Sequence, residues 1–267
     1  MASPLIQLFD HFREDLDDYN DRRERLIKAS RDVTNISKKT IFLLHRIVME
    51  ESTDDHALAK HAAMRAREKL HEVQDMYAGM KHELEGDRFW RHQRQVSPGL
   101  QEYIEALSFA HYLDHGNLIT FEQVEETLRD SNGVLYFPLV VSDYLLGLSD
   151  LTGELMRFAI SGIARRGGRA KANQVCAFVR SCKSDFERMT PYIRELSKKQ
   201  AITTQSLEKI EDAAYAIAVR GSEYDLPQDM LDDIVTQTIS TFGSHGDMKG
   251  RSRRRDDETD DEYHPDL

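Results

Sequence analysis

Two glutamates three residues apart, Glu102 and Glu105, stand in an otherwise apolar stretch containing Leu100, Tyr103, Ile104, Ala106, Leu107, Phe109, Ala110, Tyr112 and Leu113. Residues three apart share one face of a helix. A second apolar stretch, 138–165, carries Asp143, Asp150, Glu154 and Arg157 at steps of seven, four and three, with Gly147 on the same line. A helix that is apolar on most sides is central, so its single polar line must meet a partner, a cavity or water. Glycine on that line lets another backbone or a ligand come close. Carboxylates placed there are expensive to bury unpaired. Several oxygen donors with no soft ligand nearby suit a hard cation such as Mg²⁺, which can activate water and offset the charge developing on a phosphate. The plainer reading is that Arg157, lysines or backbone amides pair these acids for structural reasons, and such spacings are common.

Other motifs carry less. Glu68-x-x-His71 is half of a di-iron bundle site, which needs a second such pair on another helix, and the sequence has none. An exposed charged helix explains it better. His111 sits in an apolar run, as a packed and hydrogen-bonded core histidine does. Phosphate-loop, serine-hydrolase and zincin motifs are absent. The basic segment Arg165, Arg166, Arg169 and Lys171 could contact RNA phosphates, or simply form a solvated loop. Cys176 and Cys182 form no CxxC pair, which argues against a zinc site or a disulfide framework.

These residues need long helices to position them. Glycine (14) and proline (6) are scarce in 267 residues, well below the roughly 12% combined share of average chains, which disfavours an all-β fold. Phe9, Phe12, Leu16, Tyr19, Leu26 and Val33, with Arg23 and Ser30 in the intervening positions, trace steps of three and four. This heptad-like stripe predicts a first helix over about 5–48, roughly 65 Å long, whose apolar face another subunit must partly cover. Further helices are expected near 54–82, 98–114, 120–130, 138–165, 172–188, 191–220 and 227–241. Ser52, Thr53 and Asp54 offer caps for the second. Ser97-Pro98 is either an N-cap and first turn or a kink in a helix begun near Asp87. Val134–Phe137 alone is ambiguous between strand and helix. The expected fold is all-α, an elongated bundle of about seven to eight helices.

Net charge is −11, against a chain that holds nucleic acid merely by being basic. Residues 243–267 add a basic run (Lys249, Arg251, Arg253, Arg254, Arg255) and then an acidic one, with almost nothing apolar. They read as a disordered tail behind a helical domain at 1–242. The basic run is a candidate nuclear-import signal or a solvated charge block. No apolar run is long enough to span a membrane, and the free thiols suit a reducing compartment. The expected location is the cytoplasm, with the nucleus as a second possibility.

Several blocks resemble the TRAX (translin-associated factor X) members of the translin family. They are Arg31-Asp32-Val33-Thr34 with Ser37–Ile47, Gly99–Ala106, Asp143–Gly147, Asp150–Arg157 and Val219–Glu223, in that order along the chain. The resemblance implies a helical subunit that joins translin in a closed hetero-octameric shell. It also implies a Mg²⁺-dependent endoribonuclease, with Mn²⁺ as a substitute, acting on single-stranded or nicked RNA in passenger-strand removal and transfer-RNA processing. The family's catalytic acids match Glu102, Glu105 and Asp150, with Glu154 as a further neighbour of the metal. Translin itself lacks an acid matching Asp150, so four acids place this chain on the catalytic side. A non-catalytic RNA-binding or assembly subunit with structural carboxylates is the second reading.

Overall fold

The computed structural model describes residues 4–50, 54–163, 168–223, 227, 230–231 and 233–238. The chain forms α1 (Pro4–Val48), α2 (Asp55–Met80), α3 (Asp87–His115), α4 (Phe121–Glu126), α5 (Val141–Gly162), α6 (Gly168–Met189) and α7 (Arg194–Glu223), with a 3₁₀ turn at Lys81–Glu83. Residues 230–231 and 233–238 are also helical. Among the described residues there is no strand; the ambiguous Val134–Phe137 segment holds an isolated bridge between Leu135 and Arg129. The fold is all-α. The proposed caps Ser52 and Thr53, the loop arginines Arg165 and Arg166, and the tail 243–267 lie outside the described residues.

Helix ends follow local chemistry. Asp54 caps α2 by accepting from the amides of His56 and Ala57, both at 3.0 Å. Thr120 and Gln123 form a reciprocal capping box at the start of α4. That helix stops at Glu126, well short of the 120–130 expected from the sequence. Gly116 ends α3 with a positive φ of 74°, where a side chain would be strained.

Two compact units divide the chain: Met1–Glu154 with Ser184–Ala201, and Leu155–Lys183 with Ile202–Leu267. In the first, α1, α2 and α3 pack together. The buried seam of α1 runs through Leu26, Ser30, Val33, Ser37, Thr40, Leu44 and Ile47 at steps of three and four. It meets Ala62, Ala63, Ala66, Leu70, Val73 and Tyr77 on α2, and Val96, Leu100, Tyr103, Leu107 and Ala110 on α3. Each fully buried large aliphatic or aromatic side chain contributes about 1.5–3 kcal/mol. Serines and alanines in the seam let the backbones approach closely.

Pro98 lies inside α3, so the helix already begun near Asp87 is the alternative the fold adopts. Proline lacks an N–H and crowds the preceding turn. The neighbouring Gly99 amide donates to Ser30 Oγ on α1, at 3.1 Å. A Cβ at Gly99 would sit 2.8 Å from the Ser30 carbonyl oxygen, so only glycine fits this crossing. This anchor fixes the C-terminal half of α3, which carries Glu102 and Glu105.

In the second unit, the burial of Leu155, Phe158, Ala159, Ala172, Val175, Val179, Leu207, Ile210, Ala213 and Ile217 forms the core. Arg180 on α6 pairs with Glu211 on α7, Nε to Oε1 at 3.1 Å. Cys176 and Cys182 are buried free thiols.

Candidate functional site

The polar line of α5 faces α3. Asp143, in the first turn of α5, is buried and accepts from Ser97 Oγ at 2.9 Å and Gln101 Nε2 at 2.8 Å. Both its oxygens are thus committed to α3, and this acid is a tether between helices. One turn on, a Cβ at Gly147 would lie 2.8 Å from the Gln101 carbonyl oxygen and 2.8 Å from Ile104 Cβ. The missing side chain lets α5 press directly on α3. Asp150 and Glu154 follow on the same line, opposite Glu102 and Glu105.

The acids are close enough to act on one another. Burial drives the Glu105 carboxyl up to about 9, and the charges of Asp150, Glu102 and Glu154 add to it, with Lys199 opposing. Glu105 therefore carries a proton at neutral pH in the absence of added cations. Two of the other three acids meet a lysine, and the third meets a histidine. Lys38 Nζ lies 3.1 Å from Glu102 Oε1, Lys199 pairs with Asp150, and His45 Nε2 lies 2.6 Å from Glu154 Oε2. His45 is further held against the Phe109 ring, with centroids 4.8 Å apart.

Among the described residues, no three His, Cys, Asp or Glu side chains converge on one ion position. The donor chemistry nonetheless suits a hard dication: four carboxylates, two of them beside lysines, one beside a histidine, and a fourth whose carboxyl burial and its acidic neighbours push up to about 9. Ligation would require Glu102, Asp150 and Glu154 to exchange Lys38, Lys199 and His45 for the ion.

The structure thus places Glu102, Asp150 and Glu154 within electrostatic reach of Glu105 without converging them on one ion position, while Asp143 does other work. The spacing of the acids does not by itself reveal their partners Lys38, His45 and Lys199. Lys38 and His45 are seven apart on α1, which puts them on one stripe, and that spacing was the available signal. Lys199 had none, since its pairing with Asp150 spans 49 residues.

Of the basic segment, Arg165 and Arg166 lie outside the described residues. Arg169 is exposed and lines a groove between α6 and α7 together with Asn173, Arg180 and Tyr215. Lys171 lies over the Phe158 ring, 4.8 Å from its centroid. Glu68 pairs with Arg65 at 3.0 Å and His71 with Gln74 at 2.8 Å, on the exposed face of α2. His111 is buried and bonded to Asn117 at 2.8 Å, with burial lowering its pKa. Both are structural. No helix among the described residues is long and apolar enough to cross a membrane.

Comparison with known proteins adds lineage to this geometry. A family profile described as Translin family matches residues 21–221. Translin-associated protein X of Mus musculus is 36% identical over 256 residues, covering 88% of this chain and 84% of the relative. The Translin-associated protein X homolog of Schizosaccharomyces pombe is 30% identical over 219 residues, covering 79% and 87%. The solved AfC3PO–duplex RNA complex superposes with a TM-score of 0.59 at 18% identity, covering 79% of this chain and 97% of that one. At that identity the likeness concerns the fold.

Proposed function

The chain belongs to the translin family, and from that premise we propose that it is the catalytic subunit of a translin-containing, Mg²⁺-dependent endoribonuclease acting on single-stranded or nicked RNA. The observation that carries this reading is the packing of α5 on α3 at Gly147, which sets Asp150 and Glu154 opposite Glu102 and Glu105. Similarity to translin-associated proteins and to a fold seen with duplex RNA supports a translin partner and an RNA ligand. Passenger-strand removal and transfer-RNA processing are the roles this reading assigns, in the cytoplasm and nucleus.

Glu102, Asp150 and Glu154, with Glu105, would hold the ion. When bound, Mg²⁺ (or Mn²⁺ in its place) supplies an acidified water and a charge that offsets the developing phosphorane. The remaining work falls to the chain's own side chains. Glu105 holds its proton at the buried carboxyl until positive charge enters. Lys38 and Lys199, once released from Glu102 and Asp150, are within the same site to meet phosphate oxygens. Glu154 is oriented by His45, which Phe109 and the α1 backbone fix in place.

A second reading has its own support. Because two of the acids already pair with lysines and a third with His45, the same cluster fits a structural role, within a non-catalytic RNA-binding or assembly subunit. The deciding experiment is to co-purify the chain with translin and follow single-stranded RNA cleavage with Mg²⁺, with chelator, and with Glu102→Gln or Asp150→Asn. Loss of cleavage with the complex intact supports catalysis. Undiminished cleavage by both variants refutes the site, and loss of assembly with unchanged specific activity supports the structural reading.

A further inference from the structure

Helices α1 and α3 run side by side in the same direction: Tyr19 stacks on His92 and, further along both, Ser30 meets Gly99. Beside that crossing they frame a cleft of about 540 Å³. Arg23 and Arg31 line it from α1 and Arg94 from α3, together with Thr34, Asn35 and Gln95. No acidic side chain lines it, although the chain as a whole carries a net charge of −11. Arg23 pairs with the exposed Glu24 at 2.6 Å. Arg31 and Arg94 are exposed and form no ion pair among the described residues. Like charges gathered without a counter-charge repel one another, and a bound anion relieves that repulsion. Gln95 points to a second ligand group. It is half-buried, and its side-chain carbonyl oxygen is shut off from solvent with no hydrogen-bond donor. A buried acceptor left in that state needs an explanation. A turn of the side chain into the cleft it lines would let a ligand hydroxyl donate to it.

An anion and a hydroxyl together define the ligand. Two unpaired guanidiniums match a phosphomonoester, which carries about −1.5 to −2 at neutral pH. An internal phosphodiester or a carboxylate brings a single negative charge. A hydroxyl donor beside the phosphate is what ribose provides within a strand and deoxyribose lacks. The cleft also lies in line with the acids. Arg94 is eight residues before Glu102 on α3, and Arg31 is seven before Lys38 on α1, about 10–12 Å along the helix axes. We propose that Arg31, Arg94 and Gln95, with Arg23, hold the terminal ribose phosphate of an RNA strand and so position that strand for cleavage at the acids. The inference rests on the RNA-cleaving reading of the acid cluster and adds a preference for phosphorylated strand ends to it.

Binding and cleavage test it separately. The full chain is co-purified with translin, and affinity for a single-stranded RNA of about ten nucleotides is measured with chelator present, so that no strand is cut. The RNA carries a phosphate at the 5′ end, at the 3′ end or at neither. A terminal phosphate should tighten binding by about tenfold or more, and the end that does so identifies the one held. Arg31→Ala/Arg94→Ala should bring phosphorylated and unphosphorylated strands within about twofold of each other and leave the unphosphorylated strand bound as before. Both arginines are exposed, and unchanged circular dichroism would confirm folding. A 2′-deoxy terminal nucleotide should weaken binding several-fold in the parent chain and not at all in Gln95→Leu. With Mg²⁺ restored, the terminal phosphate should lower KM at constant kcat, and the arginine variant should lose that difference alone. Equal affinity for the three strands, or a preference that survives in the arginine variant, would overturn the proposal. So would a uniform loss of affinity for all three, which is the mark of an ordinary backbone contact. Glu102→Gln should keep the preference whether or not it abolishes cleavage, so failure of the phosphate cleft and failure of the nuclease reading are distinguishable.

Discussion

Gly147→Ala probes the helix contact on which the acid cluster depends. The added methyl would lie 2.8 Å from the Gln101 carbonyl oxygen and 2.8 Å from both Ile104 Cβ and Cγ2. Ordinary contact lies near 3.5–4.0 Å, so α5 and α3 must part by about 0.7–1.2 Å. The obstacle includes backbone, which cannot rotate aside. Overpacking of this kind costs about 1–3 kcal/mol, while alanine gains about 1 kcal/mol over glycine in a helix interior. The net expectation is a loss of about 0–2 kcal/mol, or roughly 2–4 °C in thermal midpoint per kcal/mol. Gly153, six residues further along the same helix, supplies the control. A Cβ there meets nothing within 4 Å, so Gly153→Ala should stabilise by about 0.5–1 kcal/mol. Thermal unfolding followed at 222 nm in the full chain should therefore move in opposite directions for the two alanines. RNA cleavage should fall further than stability in Gly147→Ala, because a displacement of about 1 Å can cost about 100-fold in rate. Equal midpoints for the two variants would refute the close contact at Gly147.

Other expectations are as direct. Ser30→Ala removes the Oγ acceptor of the buried Gly99 amide beside Pro98 and should cost about 1–3 kcal/mol in chemical unfolding, whereas Ser30→Thr overfills the same crossing. The hydrogen bond from Arg25, followed by the charges of Arg25 and Arg22, holds Glu83 below its ordinary carboxylate value. The unfolded chain therefore binds that proton first as pH falls. The stabilisation is complete above about pH 4.5 and is lost as pH drops through the lower folded value, so the acid limb of a midpoint-versus-pH curve should flatten in Glu83→Gln. Lys199→Met removes the cation that pairs with Asp150, and apparent Mn²⁺ affinity measured by titration calorimetry should rise several-fold. An unchanged affinity would mean that the Lys199 charge does not compete for that site.

Much of the site was legible before the fold was known. The spacing of Glu102 with Glu105 and of Asp150 with Glu154 places each pair on one helix face, because helical periodicity is a local property of the backbone. Helix ends were less legible. Pro98 sits inside a helix whose next residue, Gly99, donates its amide to Ser30, 69 residues away. The stripe on α1 was visible as a heptad pattern, but the pattern is the same where it is buried at Val33 and bare at Phe12.

Sequence alone thus determined the all-α class, the shared faces of the four acids and the amphipathic run of α1. All of these follow from contacts within four residues of each other. Only the tertiary structure decided that the Asp143 carboxylate ties α5 to α3, whereas Asp150 and Glu154 join Glu102 and Glu105. It also brought Lys38, His45 and Lys199 to those acids, and left residues 5–21 of α1 exposed among the described residues. Those outcomes depend on which helix packs against which and how closely. The approach is set at Gly99 and Gly147, where an absent side chain meets a backbone carbonyl from a different part of the chain.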